Sequence, residues 1–185
     1  MEIILIGGSP LSGKSTYAKK LSKELNCSYI CTDDLRSTMQ DFASKEKYPD
    51  LFYGTLDGNA YDAELFFLKY SVRDIFEKEW KQCICTQDII ISYIRHAQYS
   101  YDCLIIEGHA LFPTFIKKLY SLFPNIKFSH KVFFLDDVGE IRTRIFKRGL
   151  YDNADSYDDK YKEIEVEWVK LFNQRLLEDQ RTLEK

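Results

Sequence analysis

The clearest chemistry in the sequence belongs to a glycine-rich segment near its beginning. The segment follows the pattern G-x-x-x-x-G-K-[S/T], in which backbone N–H groups converge on the oxygens of a nucleotide triphosphate. We expect this segment and the residue after it to bind ATP: Gly8, Ser9, Pro10, Leu11, Ser12, Gly13, Lys14, Ser15 and Thr16. Lys14 would neutralise the β- and γ-phosphates, and the Ser15 hydroxyl would be a ligand of Mg²⁺.

The residues on either side of the segment fit this interpretation. Residues 2–7 form an apolar, β-branched run that predicts a strand buried on both faces. Apolar residues then recur at helical spacing over residues 17–25, and Asn26 closes that segment. Strand, glycine loop and helix follow in the order that phosphate binding requires, which disfavours a turn that contains glycine and lysine by coincidence.

Two adjacent aspartates follow the second predicted strand, residues 28–31. We predict Asp33 as the catalytic base, because phosphoryl transfer needs little more acid–base chemistry than one carboxylate that orients a hydroxyl and accepts its proton. Asp34 and Arg36 are predicted to bind the acceptor, and an anionic acceptor would suit the guanidinium group. Alternatively, the aspartates only cap the next helix and Arg36 is an ordinary surface residue.

Arginines follow the fourth predicted strand. Arg144 and Arg148 are four residues apart and so share one helix face, whereas Arg142 points elsewhere. We predict that Arg144 and Arg148 are catalytic, closing over the triphosphate and neutralising the charge that moves to the leaving oxygen. A charged helix face without a catalytic role is the alternative.

Acidic residues end the third and fourth predicted strands, where a carboxylate often holds Mg²⁺ through water. Glu107 is the preferred ligand, together with Ser15, because its strand lies next to the loop in a sheet of order 2-3-1-4. Asp136 is the alternative.

The composition of the 185 residues indicates a folded domain, with 45% hydrophobic and 15% aromatic residues. The formal net charge of −3 disfavours a long nucleic-acid track. No apolar run approaches the roughly 18 residues of a membrane span, and no basic leader precedes the first strand. We therefore expect a cytoplasmic protein, a monomer or homodimer, whose partners are ATP and a small molecule.

The five cysteines are an odd number, and Cys83 and Cys85 lack the two-residue spacer of a redox or zinc pair. Buried, reduced thiols are therefore expected. The three histidines, His96, His109 and His130, are too scattered in the sequence to predict a metal site with the cysteines.

Strands alternating with helices predict an α/β fold with three α/β/α layers. Together with the glycine-rich loop, this arrangement resembles the P-loop NTPase fold. Its parallel sheet has the order 2-3-1-4 and room for a fifth strand, with the ligand at the carboxyl edge. The third and fourth strands are predicted at residues 103–106 and 132–135, and helices at 61–80, 90–97, 113–120, 138–149 and 161–176. The chain is then a single domain with its core in 1–36 and 100–185, a helical substrate insert in about 37–99 and a lid in about 138–158.

Two motifs add a resemblance to a known group of enzymes: Cys-Thr-Asp-Asp-Leu-Arg at 31–36 and Leu-Ile-Ile-Glu-Gly-His-Ala-Leu-Phe-Pro at 104–113. With the loop, they resemble the small-molecule P-loop kinases, a group that includes nucleoside monophosphate, zeta-toxin-like and polynucleotide kinases. The 2-phosphoglycerate kinase-like proteins look most similar. The Glu107-Gly108 pair is also similar to uridine kinase and nicotinamide riboside kinase.

The resemblance covers most of residues 1–150. It implies ATP and Mg²⁺ as cofactors, Asp33 as the base and Arg36 as a substrate contact. Such kinases usually have a fifth strand after the lid, whose edge helps to form the base pocket. Here only a long helix and a charged tail, residues 178–185, follow.

Three functions remain open from the sequence. The first is a kinase acting on a small metabolite, and the second is a toxin-like or nucleic-acid-end kinase with a basic groove beside Arg36, Lys45 and Lys47. The third is a binding module that uses ATP only as a switch. Four aromatic residues could stack on an acceptor or pack in the core: Phe42, Tyr48, Phe52 and Tyr53.

Overall fold

The computed structural model describes residues 1–52, 63–147 and 158–183. Four strands form one parallel sheet of order β2-β3-β1-β4, which confirms the predicted order. The strands are β1 (Glu2–Gly8), β2 (Ser28–Cys31), β3 (Cys103–Glu107) and β4 (Lys127–Phe133). The described ranges contain no fifth strand.

Helices cover both faces of the sheet, as parallel pairing requires. They are α1 (Lys14–Leu25), α2 (Thr32–Gln40), α3 (Ala63–Lys69), α4 (Val72–Ala97), α5 (Pro113–Leu122), α6 (Val138–Lys147) and α7 (Asp159–Thr182), and a 3₁₀ turn spans Pro49–Phe52. The chain therefore has the predicted three-layer α/β/α architecture.

The two central strands divide their side chains between the layers. Ile3 and Leu5 pack with residues of α4, α5 and α7 on one face, whereas Ile6 packs against Ala18 of α1 on the other. β3 alternates in the same way, because successive strand residues point to opposite faces. This explains why both strands read as continuous apolar runs.

The helical layer opposite α1 is held together by aromatic packing. The ring of Trp80 on α4 stacks on Phe112 with a centroid distance of 3.9 Å, and both rings contact Phe172 of α7. Phe172 is fully buried, and burying a side chain of this size contributes about 1.5–3 kcal/mol. Further along α4, Cys83, Ile90 and Ile94 belong to the same core. A helix assigned to the insert by its sequence thus also forms part of the central packing layer.

Two sequence signals locate helix ends correctly. Asn26 ends α1 in the left-handed conformation, with φ of 50°, which asparagine adopts more readily than most residues. Pro113 occupies the first turn of α5, where its missing N–H costs no hydrogen bond.

Several predicted boundaries are wrong. The first long helix is interrupted near residue 70, and α4 then runs without a break through the predicted gap between residues 80 and 90. Ser71 caps α4 in a capping box with Asp74. α2 continues to Gln40, into the region assigned to the substrate insert, and β4 lies earlier than its predicted position at 132–135.

One pair of cysteines contradicts the expectation of reduced thiols. Cys27 and Cys103 form a disulfide with a Cα–Cα distance of 5.1 Å. The residues after them, Ser28 and Leu104, are register partners in β2 and β3, so the two cysteines lie side by side. Their separation of 76 residues hides this proximity from the sequence. Cys31, Cys83 and Cys85 are free.

The helices in the described ranges are all too short or too polar to cross a bilayer.

Candidate functional site

The glycine-rich loop connects β1 to α1 and has the backbone of a phosphate-binding loop. Gly8 and Gly13 have φ of 141° and 88°, values that favour glycine, and Leu11 also has a positive φ of 62°. A Cβ on Gly8 would lie 2.3 Å from the carbonyl oxygen of Phe133, so β4 also excludes a side chain there. Helix α1 begins at Lys14 without a side-chain cap, which leaves its first N–H groups available to an anion.

Polar atoms inside the loop fit a phosphate ligand. Lys14 is buried, and its Nζ donates to the backbone oxygen of Ser9 at 3.2 Å. The hydroxyls of Ser9 and Ser12 are buried without a hydrogen-bond partner among the described residues. Buried donors without partners are costly, and phosphate oxygens held in the loop would be suitable acceptors.

The two predicted magnesium ligands are in contact. Ser15 Oγ donates to Glu107 Oε1 at 3.0 Å, and the other oxygen of Glu107 accepts from the Tyr29 hydroxyl at 2.9 Å. Lys14 Nζ lies 4.0 Å from the same buried carboxylate. Burial and the charge of Glu107 raise the pKa of Tyr29, so its hydroxyl remains a donor. A hydroxyl beside an oriented carboxylate is an all-oxygen donor set of the kind that Mg²⁺ prefers.

The alternative carboxylate lies elsewhere. Asp136 is exposed beyond the end of β4 and accepts a hydrogen bond from Asn173 of α7 at 2.9 Å.

Asp33 lies in the first turn of α2 and faces several positive groups. Its Oδ1 is 3.1 Å from Arg36 Nη1 and 3.8 Å from His109 Nδ1. Burial alone would raise the pKa of Asp33, but the charges of His109, Arg36 and Lys14 hold the pKa below its usual range. The carboxylate is therefore ionised at neutral pH. Asp34 lies on the exposed side of the helix.

Arg36 belongs to a hydrogen-bonded group that joins three elements. Its Nη1 donates to Asp33 and also to Gln82 Oε1 of α4, at 3.2 Å. Gln82 in turn donates to the carbonyl oxygen of Leu51 in the 3₁₀ turn at 2.8 Å, and Gln40 donates to the same oxygen at 2.6 Å. These contacts fix Arg36 beside Asp33. Phe42, a predicted stacking or core residue, is exposed, whereas Tyr53 is outside the described residues.

Three residues near Asp33 were not predicted as site residues from the sequence: Glu79, Gln82 and His109. His109 follows the Glu107-Gly108 pair, and its Nε2 lies 2.8 Å from Glu79 Oε1 on α4. Burial would lower the pKa of His109, but the charge of Asp33 and contacts with Cys83 and Glu79 raise it well above its usual value. Glu79 and Gln82 interrupt the apolar repeat on the inner face of α4. This interruption was the available sequence-level signal, since polar residues rarely occupy such positions without a partner.

One of the two predicted lid arginines contacts the loop. Arg144 Nη1 donates to the carbonyl oxygen of Leu11 at 2.6 Å, and its Nη2 pairs with Glu140. A Cβ built on Gly13 would lie 3.7 Å from the same guanidinium. Arg142 instead pairs with Glu163 of α7. Arg148 and the end of the predicted lid lie outside the described residues.

Comparison with known proteins leaves function open. No family model and no curated protein matches this sequence. Among solved structures, a gluconokinase from Sinorhizobium meliloti 1021 has 14% identity and a TM-score of 0.46, covering 100% of this chain and 98% of its own.

Two further structures are similar at the same low level. Deoxyadenosine kinase from M. mycoides, solved with bound dATP, has 16% identity and a TM-score of 0.42, with coverages of 96% of this chain and 87% of its own. A candidate kinase from Chloroflexus aurantiacus has 18% identity and a TM-score of 0.47, with coverages of 88% and 73%. Similarities of this size carry no weight for function, which must be inferred from the site.

Proposed function

We propose that the protein is a Mg²⁺- and ATP-dependent kinase that transfers the γ-phosphoryl group to a hydroxyl or phosphate of a small metabolite. One observation carries the proposal: a partly exposed carboxylate, Asp33, follows the end of β2 at the same edge of the parallel sheet as the glycine-rich loop after β1, with Arg36 held beside it at 3.1 Å. Binding of ATP alone needs no such group. A positioned base beside the phosphates is what transfer to a hydroxyl requires.

The proposed reaction assigns a role to each group. The acceptor oxygen bonds to the γ-phosphorus while the bond from that phosphorus to the β–γ bridging oxygen breaks and ADP leaves. The hydroxyl proton passes to Asp33. Lys14 and Arg144 stabilise the charge on the phosphoryl and bridging oxygens. Bound Mg²⁺, held by Ser15 and Glu107, would neutralise the phosphates.

The acceptor would bind between α2 and α4. Arg36 and Gln82 offer a guanidinium group and an amide beside Asp33. Arg36 recognises anionic groups well because its planar fork matches a carboxylate or a phosphate. We therefore place a phosphorylated or carboxylated metabolite first among acceptors.

A ligand screen tests this proposal. Thermal unfolding is measured with nucleosides, sugars and phosphorylated acids, each with and without a nonhydrolysable ATP analogue and Mg²⁺. A true acceptor should raise the melting temperature more when the analogue is present, because a ligand that binds the folded state stabilises it. That compound is then incubated with ATP, and the phosphorylated product is identified by mass spectrometry. Tight ATP binding without transfer to any stabilising compound would instead indicate an ATP-dependent switch.

The lid arginine provides a second prediction. Replacing Arg144 by alanine should lower kcat by roughly 10²-fold, because a donor aimed at the developing charge acts mainly in the transition state. The matched control is Arg142→Ala, two residues away on the same helix, where the guanidinium pairs with Glu163. Steady-state kinetics should give that variant a kcat within about twofold of that of the original protein, as expected for the loss of an exposed ion pair. Equal effects of the two substitutions would remove Arg144 from the catalytic group.

A further inference from the structure

Three potential metal ligands of different chemistry meet between α4 and the segment after β3. Glu79, Cys83 and His109 each offer one ligand atom, and these atoms all lie within 4.8 Å of one another. Glu79 and Cys83 are almost fully buried, and the side chain of His109 is 13% exposed. No other such cluster occurs in residues 1–52, 63–147 and 158–183.

We propose that Glu79, Cys83 and His109 form a binding site for a divalent transition-metal ion, and that this ion is Zn²⁺. A thiolate, an imidazole and a carboxylate are the three side-chain donors that zinc uses in proteins. The site differs in kind from the proposed Mg²⁺ site, where Ser15 and Glu107 offer only oxygen atoms. Hard oxygen donors suit magnesium, whereas sulfur and nitrogen select zinc and its neighbours.

The backbone prearranges the three groups. Glu79 and Cys83 are separated by four residues on a continuous helix, so their side chains lie on the same face. His109 approaches that face from the end of β3, and Gly108 before it packs so tightly that an added Cβ would overlap Thr32. The third ligand is therefore carried by a constrained segment.

The surroundings of His109 also match a metal-bound histidine. Its Nε2 faces Glu79 within the cluster, and its Nδ1 faces Asp33 at 3.8 Å. Metal-ligating histidines usually present their second ring nitrogen to a carboxylate or carbonyl, which fixes the orientation of the ring. Asp33 is the carboxylate on that side of the ring, although 3.8 Å is longer than a hydrogen bond.

Charge balance favours a divalent ion in this position. With Cys83 as thiolate and His109 neutral, Glu79 and Cys83 supply two negative charges, which one Zn²⁺ neutralises. Binding releases the thiol proton and any proton held by the imidazole. Three protein ligands leave a fourth tetrahedral position for water or an anionic ligand.

Metal content provides the direct test. The full chain, without a histidine tag, is stripped with a chelator, incubated with Zn²⁺, freed of excess ion by gel filtration and analysed by elemental mass spectrometry. We expect one zinc ion per chain, and loss of that ion in Cys83→Ser and in His109→Gln. Cys85→Ser is the matched control, because Cys85 lies on the same helix but outside the cluster, and this variant should keep its zinc.

Cobalt provides a second readout, since Co²⁺ replacing zinc should show thiolate-to-metal charge-transfer absorption that is absent in Cys83→Ser and retained in Cys85→Ser. Circular dichroism of the metal-free proteins shows whether each variant is folded. The comparison of zinc content needs only one of the two variants, Cys83→Ser or His109→Gln, to be folded. A chain without stoichiometric zinc, or full retention in a folded Cys83→Ser or His109→Gln protein, would overturn the proposal. The assays contain no nucleotide or acceptor, so their outcome is independent of kinase activity.

Discussion

Replacing Lys14 by alanine is expected to abolish phosphoryl transfer, with a fall in kcat/KM of about 10³-fold or more, or about 4 kcal/mol of lost transition-state stabilisation. Lys14 is buried at the start of α1, with its ammonium beside the Ser9 carbonyl and the Glu107 carboxylate. A desolvated charge in that place interacts with phosphate oxygens much more strongly than a surface lysine would. The measurement is product formation with saturating ATP and the acceptor identified by the screen.

Lys20→Ala is the control for this substitution. Lys20 lies on the same helix, but its side chain is 76% exposed and pairs with Glu24, so its removal should leave turnover unchanged. Removing Lys14 also takes away the cation that pairs with the buried Glu107. Thermal unfolding of the variant therefore separates a catalytic defect from instability. A folded Lys14→Ala protein that retained more than about a tenth of the activity would contradict the role given to this lysine.

Changing Asp33 to asparagine should lower kcat by roughly 10²–10⁴-fold while ATP binding stays nearly unchanged. The amide keeps the shape of the side chain and one oxygen to accept from Arg36, but it cannot take the acceptor proton. Pre-steady-state phosphate transfer and calorimetric titration with the nonhydrolysable analogue measure the two quantities separately.

The comparison for Asp33 is Asp41→Asn, at the exposed C-terminal end of the same helix. That change should alter neither kcat nor the affinity for ATP, because Asp41 lies at the end of α2 opposite to Asp33. Full transfer by the Asp33→Asn protein would show that another group accepts the proton. A parallel loss of ATP affinity would show instead that Asp33 acts in nucleotide binding.

The central sheet and the loop were predictable because their signals are local. β1 and β3 are buried on both faces, so each appears as a run of apolar residues. β4 is one of the two edge strands of the described sheet, where it pairs with β1, and most of its residues are polar and exposed. Only the apolar run at its end, 132–135, was detectable, which displaced the predicted strand toward the C-terminus.

Helix α4 shows a different difficulty. Gln82 and Thr86 are buried on its inner face, so the apolar repeat is interrupted although the helix is not. The actual break is marked by a capping box between Ser71 and Asp74, a signal that periodicity does not measure.

Site residues were predictable where a motif states their spacing. Ser15 and Glu107 were predicted as magnesium ligands of one site, since both lie near the ends of strands at the same edge of the sheet. The structure places the two side chains in contact. His109 was not linked to Glu79, 30 residues earlier, because only the packing of α4 against the sheet brings them together. The disulfide between Cys27 and Cys103 is hidden in the sequence because the pairing of β2 with β3 brings the two cysteines together.

The packing of helix α4 in the core limits how the proposed acceptor site can change. Its 26 residues form an unbroken rod of about 39 Å. Glu79 and Gln82 lie in the half near Asp33, while Ile90 and Ile94 in the other half pack under the sheet. A shift of α4 that admitted a larger substrate would disrupt the packing of Ile90 and Ile94 in the hydrophobic core. Under the proposed function, we expect adaptation to new acceptors to occur in the 3₁₀ turn and in residues of α2 other than Asp33 and Arg36, and the inner face of α4 to change little.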